Sequence, residues 1–205
     1  MCIVTDEAFV KHCFNGNREA AANHSIKNID DINQHLLDEE FVYTDSNGET
    51  YYYTNFGFYP EIINLEHTAF APFNQQQSLN VDQLKATLTS SHFEYERKEC
   101  GLVAFFTGKQ MTDRYQGFKC SSVCSPPYNT LAVSFHECPF KVGSEAHKRV
   151  LITLFHELLH IIGVPHNNTN NDVMMEYDAN NMVKNYKHFR QFAYLLTAIL
   201  LFDRT

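Results

Sequence analysis

The chain contains no tryptophan, only eight glycines and six prolines in 205 residues, and far fewer cationic than anionic side chains. So little glycine and proline excludes collagen-like and low-complexity architectures. With 16 Lys plus Arg against 24 Asp plus Glu, the formal charge is -8, which argues against a nucleic-acid backbone or an anionic membrane surface as partner. Long hydrophobic runs are missing too. The strongest, residues 193–202, is about half the roughly 20 residues of a membrane span and reads as a packed terminal helix. The first six residues show neither a basic n-region nor an apolar h-region, so no signal peptide is visible.

What is present is core-forming material: 44% hydrophobic residues, with 17 Phe and 11 Tyr, enough for one sizeable core and hence a single domain over 1–205. Six cysteines (Cys2, Cys13, Cys100, Cys120, Cys124 and Cys138) and two N-x-[ST] sequons, at Asn23 and Asn167, lean towards the secretory pathway and a secreted protein. The pairing of the cysteines is open. Cys120 and Cys124 near Cys138 fit a disulfide better than a zinc knuckle, because no matching second half exists.

Strand and helix patterns alternate along the chain. Cys2-Ile3-Val4 reads as a short strand, and Ile29, Ile32 and Leu36 mark an amphipathic helix within 26–37. Residues 41–44 and 51–54 flank Asn47-Gly48, a hairpin signal. A strand is expected over 61–70, a helix over 81–97, and a strand buried on both faces over 101–107. Residues 118–123 and 131–136 are further strand candidates around the turn Ser125-Pro126-Pro127-Tyr128-Asn129. Residues 148–162 form an apolar, buried helix that Gly163 is placed to end. The sum is a mixed α/β domain.

That last helix carries the chemistry. Residues 156–166 read H-E-x-x-H-x-x-G-x-x-H. His156 and His160 lie about 40° apart around a helix and one turn apart along it, so both imidazoles can reach one ion. Gly163 permits the positive φ that reverses the chain and returns His166 to the same point. Three neutral imidazoles leave a fourth position open, the coordination of a single catalytic zinc, which lowers the pKa of water towards about 7 and polarises a carbonyl. Glu157 points to the side of the histidine pair, as a general base would. A helix whose histidines are ordinary core residues is the competing reading, and it would bury two imidazoles and a carboxylate at a cost that a metal removes. Ser134-Phe135-His136-Glu137-Cys138 offers a second His-Glu pair, but Phe140 stands where a further ligand would be needed.

These residues resemble the metzincin zinc metalloproteases, defined by this extended motif and a methionine turn. The turn has a candidate in residues 172–177, with Met175 before Tyr177 matching better than Met174. Within that group the chain is most similar to the reprolysin, or ADAM-like, branch. Gly101-Leu102-Val103-Ala104-Phe105-Phe106-Thr107-Gly108 resembles its central strand, Ile3-Val4-Thr5-Asp6 its first strand, and residues 117–120 with 122–124 its substrate-flanking edge strand. Cysteines usual in that branch between the third histidine and the methionine turn are missing here, and the Asn47-Gly48 hairpin looks like an addition.

The resemblance implies a zincin-like catalytic domain: a twisted mixed sheet, a long active-site helix, an N-terminal lobe over about 1–163 and a small C-terminal lobe over about 164–205. It implies that residues 117–120 form the exposed edge strand and pair with an extended peptide substrate. The function it implies is a zinc-dependent endopeptidase with Glu157 as base and His156, His160 and His166 as ligands. Two other classes stand beside it: a binding or toxin-like module on the same fold, and a catalytically incompetent fragment. An intact Glu157 favours the enzyme, since a binding module has no physical need of the base.

Overall fold

The computed structural model describes residues 1–37, 41–44, 48–53, 57–63, 73, 75–90, 99–112, 119–120, 122–141 and 143–161. The fold is mixed α/β, built on a five-stranded mixed sheet. Strand β1 (Cys2–Thr5) runs parallel to β4 (Glu61–Ile63) on one side and to β6 (Val103–Thr107) on the other. Next to β6 comes β10 (Thr130–Ser134), also parallel, and β9 (Ser122–Ser125) closes that side antiparallel to β10.

Both faces of this sheet are covered, and the strand sequences show why. Ile3 aligns with Ala104 and Leu131 across the sheet, and these side chains join one core cluster. Val4 aligns with Phe105 and Ala132, which join the other. A central strand whose alternate residues are all apolar can be buried only between two layers.

The first layer holds α1 (Glu7–Phe14), α2 (Arg18–Leu37) and α4 (Glu145–Ile161); α2 presents Ile29, Ile32 and Leu36 to the core, as their spacing predicts. The second holds α3 (Val81–Leu88) and a three-stranded sheet of β5 (Ser78–Asn80), β7 (Gln110–Thr112) and β8 (Lys119–Cys120). The expected hairpin is present as β2 (Phe41–Thr44) against β3 (Thr50–Tyr53), one residue earlier in its second strand.

Asp6 fastens α1 to the carboxyl end of the sheet. Its carboxylate accepts from the Phe9 amide at 2.7 Å, the Thr107 hydroxyl at 2.6 Å and the Gly108 amide at 3.1 Å. Burial pushes this carboxyl up while those three donors and Lys109 pull it down. The approach is so close that a Cβ on Gly108 would lie 2.4 Å from the Ala8 backbone, so only glycine fits. The Thr-Gly step after the central strand is therefore a packing requirement.

Several boundaries differ from the sequence reading. The helix expected within 26–37 is α2, which begins earlier, at Arg18: Asn15 and Gly16 turn with positive φ after α1, and the Asn17 side chain accepts from the Ala20 amide to start α2. The helix expected over 81–97 ends at Leu88. Thr87, Thr89 and Ser90 direct their hydroxyls back onto helix carbonyls, competing with continuation. Of the strand expected over 61–70, only Glu61–Ile63 lies within the described residues. The zinc-motif helix begins at Glu145, three residues early, because Ser144 caps it.

Two disulfides join Cys2 to Cys100 and Cys13 to Cys138, with Cα separations of 5.3 and 4.9 Å. Cys138 is thus tied to α1 and not to Cys120 or Cys124. The segment before β4 is held to α2 by one side chain: Asn33 both donates to the Phe58 carbonyl and accepts from its amide, each at 2.7 Å.

Between α2 and α4 the rings of His24 and His147 lie 5.6 Å apart. Burial first, then the neighbouring His147, pulls His24 from its ordinary 6.5 to about 4; Asp31 opposes this. Burial also lowers His147. Because folded pKa values lie below unfolded ones, this contribution is complete above pH 6.5 and is lost as pH falls towards 4. For His24 the loss should be about 2 kcal/mol, allowing for the solvent screening that a half-buried ring retains. Denaturant unfolding at a series of pH values should show this acid limb, and His24→Phe should flatten it; an unchanged slope would refute the assignment.

Candidate metal centre

The C-terminal half of α4 lies against β10 and β9, on the face of the sheet shared with α1 and α2. Val150, Leu154, Phe155, Leu158 and Leu159 anchor it in that core, so the helix cannot rotate without exposing them. This orientation fixes the polar face. His156 and His160, both half-buried, bring their Nε2 atoms to 3.0 Å with the rings at 89°.

Two nitrogens held at 2.0 to 2.1 Å from one tetrahedral ion stand roughly 3.3 Å apart. The observed 3.0 Å, a length at which the rings also share a hydrogen bond, is a few tenths of an ångström short of that bite, and two imidazole nitrogens are donors that zinc prefers. The fit extends to the carboxylate beside them. Glu157 is 6% exposed, and its Oε1 accepts from the Ser122 hydroxyl at 2.5 Å, so it is held at the side of the histidine pair. Among the described residues no group of three His, Cys, Asp or Glu side chains gathers as a complete metal site. His166, Gly163 and the methionine-turn residues Met174 and Met175 lie outside the described residues, as do residues 164–205 expected to form the C-terminal lobe.

Of the edge strand expected over 117–120, Lys119 and Cys120 are described: they pair with Thr112 and Met111 at the edge of the three-stranded sheet, not in the main sheet, and residues 117 and 118 lie outside the described residues. The edge strand beside α4 is β9. The reason is local. Pro126-Pro127-Tyr128, a 3₁₀ turn, and Asn129 with φ 49° make a tight connection that closes with Ser125 opposite Thr130, so pairing runs outward from the turn through residues 125 to 122.

Sequence reasoning did not single out Ser122 or Cys124 as site residues. They stand opposite Val133 and Leu131, whose side chains face the α4 layer, so both point at the helix. Cys124 is a free thiol beside Glu157; burial, then the carboxylate, pushes its pKa well up, which makes it a poor nucleophile. A serine and a cysteine two apart carry no metal or catalytic spacing signal. Only the register of β9 brings them to the site.

The second His-Glu pair is accounted for by local contacts. His136 Nδ1 lies 2.9 Å from the Ser134 hydroxyl, and Glu137 pairs with Arg149 at 2.9 Å. No helix among the described residues is long and apolar enough to cross a membrane.

No family model matches the chain, and no curated protein does. Solved structures do. An archaemetzincin from Methanopyrus kandleri matches with a TM-score of 0.57 at 18% identity, covering 98% of this chain and 94% of that one. A chain in a chaperone–substrate complex matches at TM-score 0.52 and 14% identity, over 98% of this chain but 33% of that one. A zinc-dependent peptidase from Methanocorpusculum labreanum gives TM-score 0.46 at 11% identity, over 85% of this chain and 86% of that one. The first of these spans nearly the whole of both chains, and with it the chain has a zincin-like fold.

Proposed function

We propose that this chain is a zinc-dependent metalloendopeptidase. The observation that carries the reading is the convergence of the His156 and His160 Nε2 atoms at 3.0 Å beside the buried carboxylate of Glu157, on a helix locked into the core. His156, His160 and His166 would hold one zinc. When bound, zinc supplies Lewis acidity, lowering the pKa of water and polarising a carbonyl.

The chain's own residues do the remainder. Glu157 removes a proton from the attacking water and later delivers it to the leaving amine, a shuttle suited to a carboxylate whose one oxygen is already fixed by Ser122. Strand β9, at the edge of the five-stranded sheet among the described residues, offers its outer side to an extended peptide, main chain to main chain. Of the segment that resembles a substrate-flanking strand, residues 122–124 lie in β9 and carry that role here.

We place the chain among the metzincins on its H-E-x-x-H-x-x-G-x-x-H motif, with Met175 as the methionine-turn residue, in one domain over 1–205. The likeness to an archaemetzincin favours that kind of relative over the reprolysin branch, which gains no support from it. Two disulfides fit a secreted, oxidised setting.

The test is a zinc assay beside digestion of an unstructured protein substrate such as casein, with and without chelator. One zinc per chain is expected, with hydrolysis lost to chelator and restored by added zinc. A protein that binds no zinc, or cuts equally well without it, would overturn the reading.

A further inference from the structure

The contact between Ser122 and Glu157 joins the edge strand to the candidate base. Glu157 has three side-chain torsions and sits beside an apolar core cluster, so without a fixed donor its carboxylate would have several orientations to sample. Ser122 removes that freedom at Oε1 with a short, charge-assisted hydrogen bond of 2.5 Å. The donor is itself rigidly placed. Its strand is paired with β10, where Val133 opposite it is fully buried. Cys124, two residues on and on the same face, is a second hydrogen-bond partner of the carboxylate, so β9 meets Glu157 at two successive inward positions.

We propose that Ser122 is a positioning residue for Glu157, so that the strand expected to bind the peptide also orients the base that acts on it. This rests on the endopeptidase reading, and it goes further by making substrate docking and base alignment properties of one strand. A peptide seated on β9 would restrain Ser122 and, through it, the carboxylate. The contribution should therefore show in turnover more than in binding.

The experiment compares Ser122→Ala and Ser122→Thr in the zinc-loaded protein. Ser122→Ala should lower kcat about tenfold with KM within about twofold, at unchanged zinc content and melting temperature. Ser122→Thr, which keeps the hydroxyl and suits a strand, should recover kcat to within about threefold of the wild type. A second readout needs no activity: in metal-free protein labelled with ¹³C at glutamate Cδ, the Glu157 resonance, identified by its loss in Glu157→Gln, should move in Ser122→Ala and stay in Ser122→Thr. Unchanged kcat in Ser122→Ala, or equal impairment of both variants with lowered melting, would overturn the proposal, as would a Glu157 resonance indifferent to both. A wild-type protein without hydrolytic activity would instead remove the endopeptidase reading, while the resonance still decides whether Ser122 holds Glu157.

Discussion

Glu157→Gln should keep its zinc and its melting temperature while peptide hydrolysis falls at least about a hundredfold, the share that a positioned general base contributes. The amide is nearly isosteric, and its oxygen can still accept from Ser122, so the buried contact survives and the fold has little reason to change. Only the ability to take and return a proton is lost. His160→Ala gives the contrasting result. Removing one of the two converged imidazoles forfeits metal affinity and, with it, the stability linked to bound metal. Equal rates for wild type and Glu157→Gln on one substrate at matched zinc occupancy would rule out the proton shuttle and promote the binding-module alternative.

Reduction should have the largest effect on stability. The two disulfides bridge residues 98 and 125 positions apart, and closing a loop of about a hundred residues is worth up to about 5 kcal/mol in the chain-entropy picture. Since whole domains are stable by roughly 5 to 15 kcal/mol, losing both should bring the protein close to unfolding at body temperature. Cys13–Cys138 matters more for the site, because it ties α1 to the segment that leads into α4. Thermal unfolding with and without reductant, repeated on Cys13→Ala/Cys138→Ala, should show a drop of more than about 10 °C on full reduction. An unchanged transition would mean that the helices and sheet hold α4 unaided.

Much of this architecture could be read from the residues. The run Val103-Ala104-Phe105-Phe106-Thr107 gave away a strand buried on both faces, and Ile29, Ile32 and Leu36 gave away the face of α2. Helix periodicity foretold the meeting of His156 and His160. What escaped was set by hydroxyls and by register. The early end of α3 depends on Thr87, Thr89 and Ser90 bonding back to the helix, chemistry that apolar periodicity does not register. That β9, and not residues 119–120, edges the five-stranded sheet depends on which residues a tight turn places opposite each other. The resemblance drew residues 122–124 into the substrate-flanking strand, but that Ser122 meets Glu157 follows only from this pairing.

The position of β1 has a kinetic consequence. This strand stands near the start of the chain yet occupies the interior of the sheet, with Ile3 paired to Ile62 on one side and Ala104 on the other, and Ala104 paired in turn to Leu131. During synthesis β1 emerges well before β6 exists to receive it, leaving Ile3 and Val4 without that neighbour until Val103–Thr107 have been made. A topology dominated by such distant parallel pairings folds slowly, because loop-closure entropy must be met before the contacts that offset it can form. The nascent chain is then most exposed to aggregation in the interval before residue 107 is available, and a chaperone that shields the first strand and α1 would act at the step where this fold is most vulnerable.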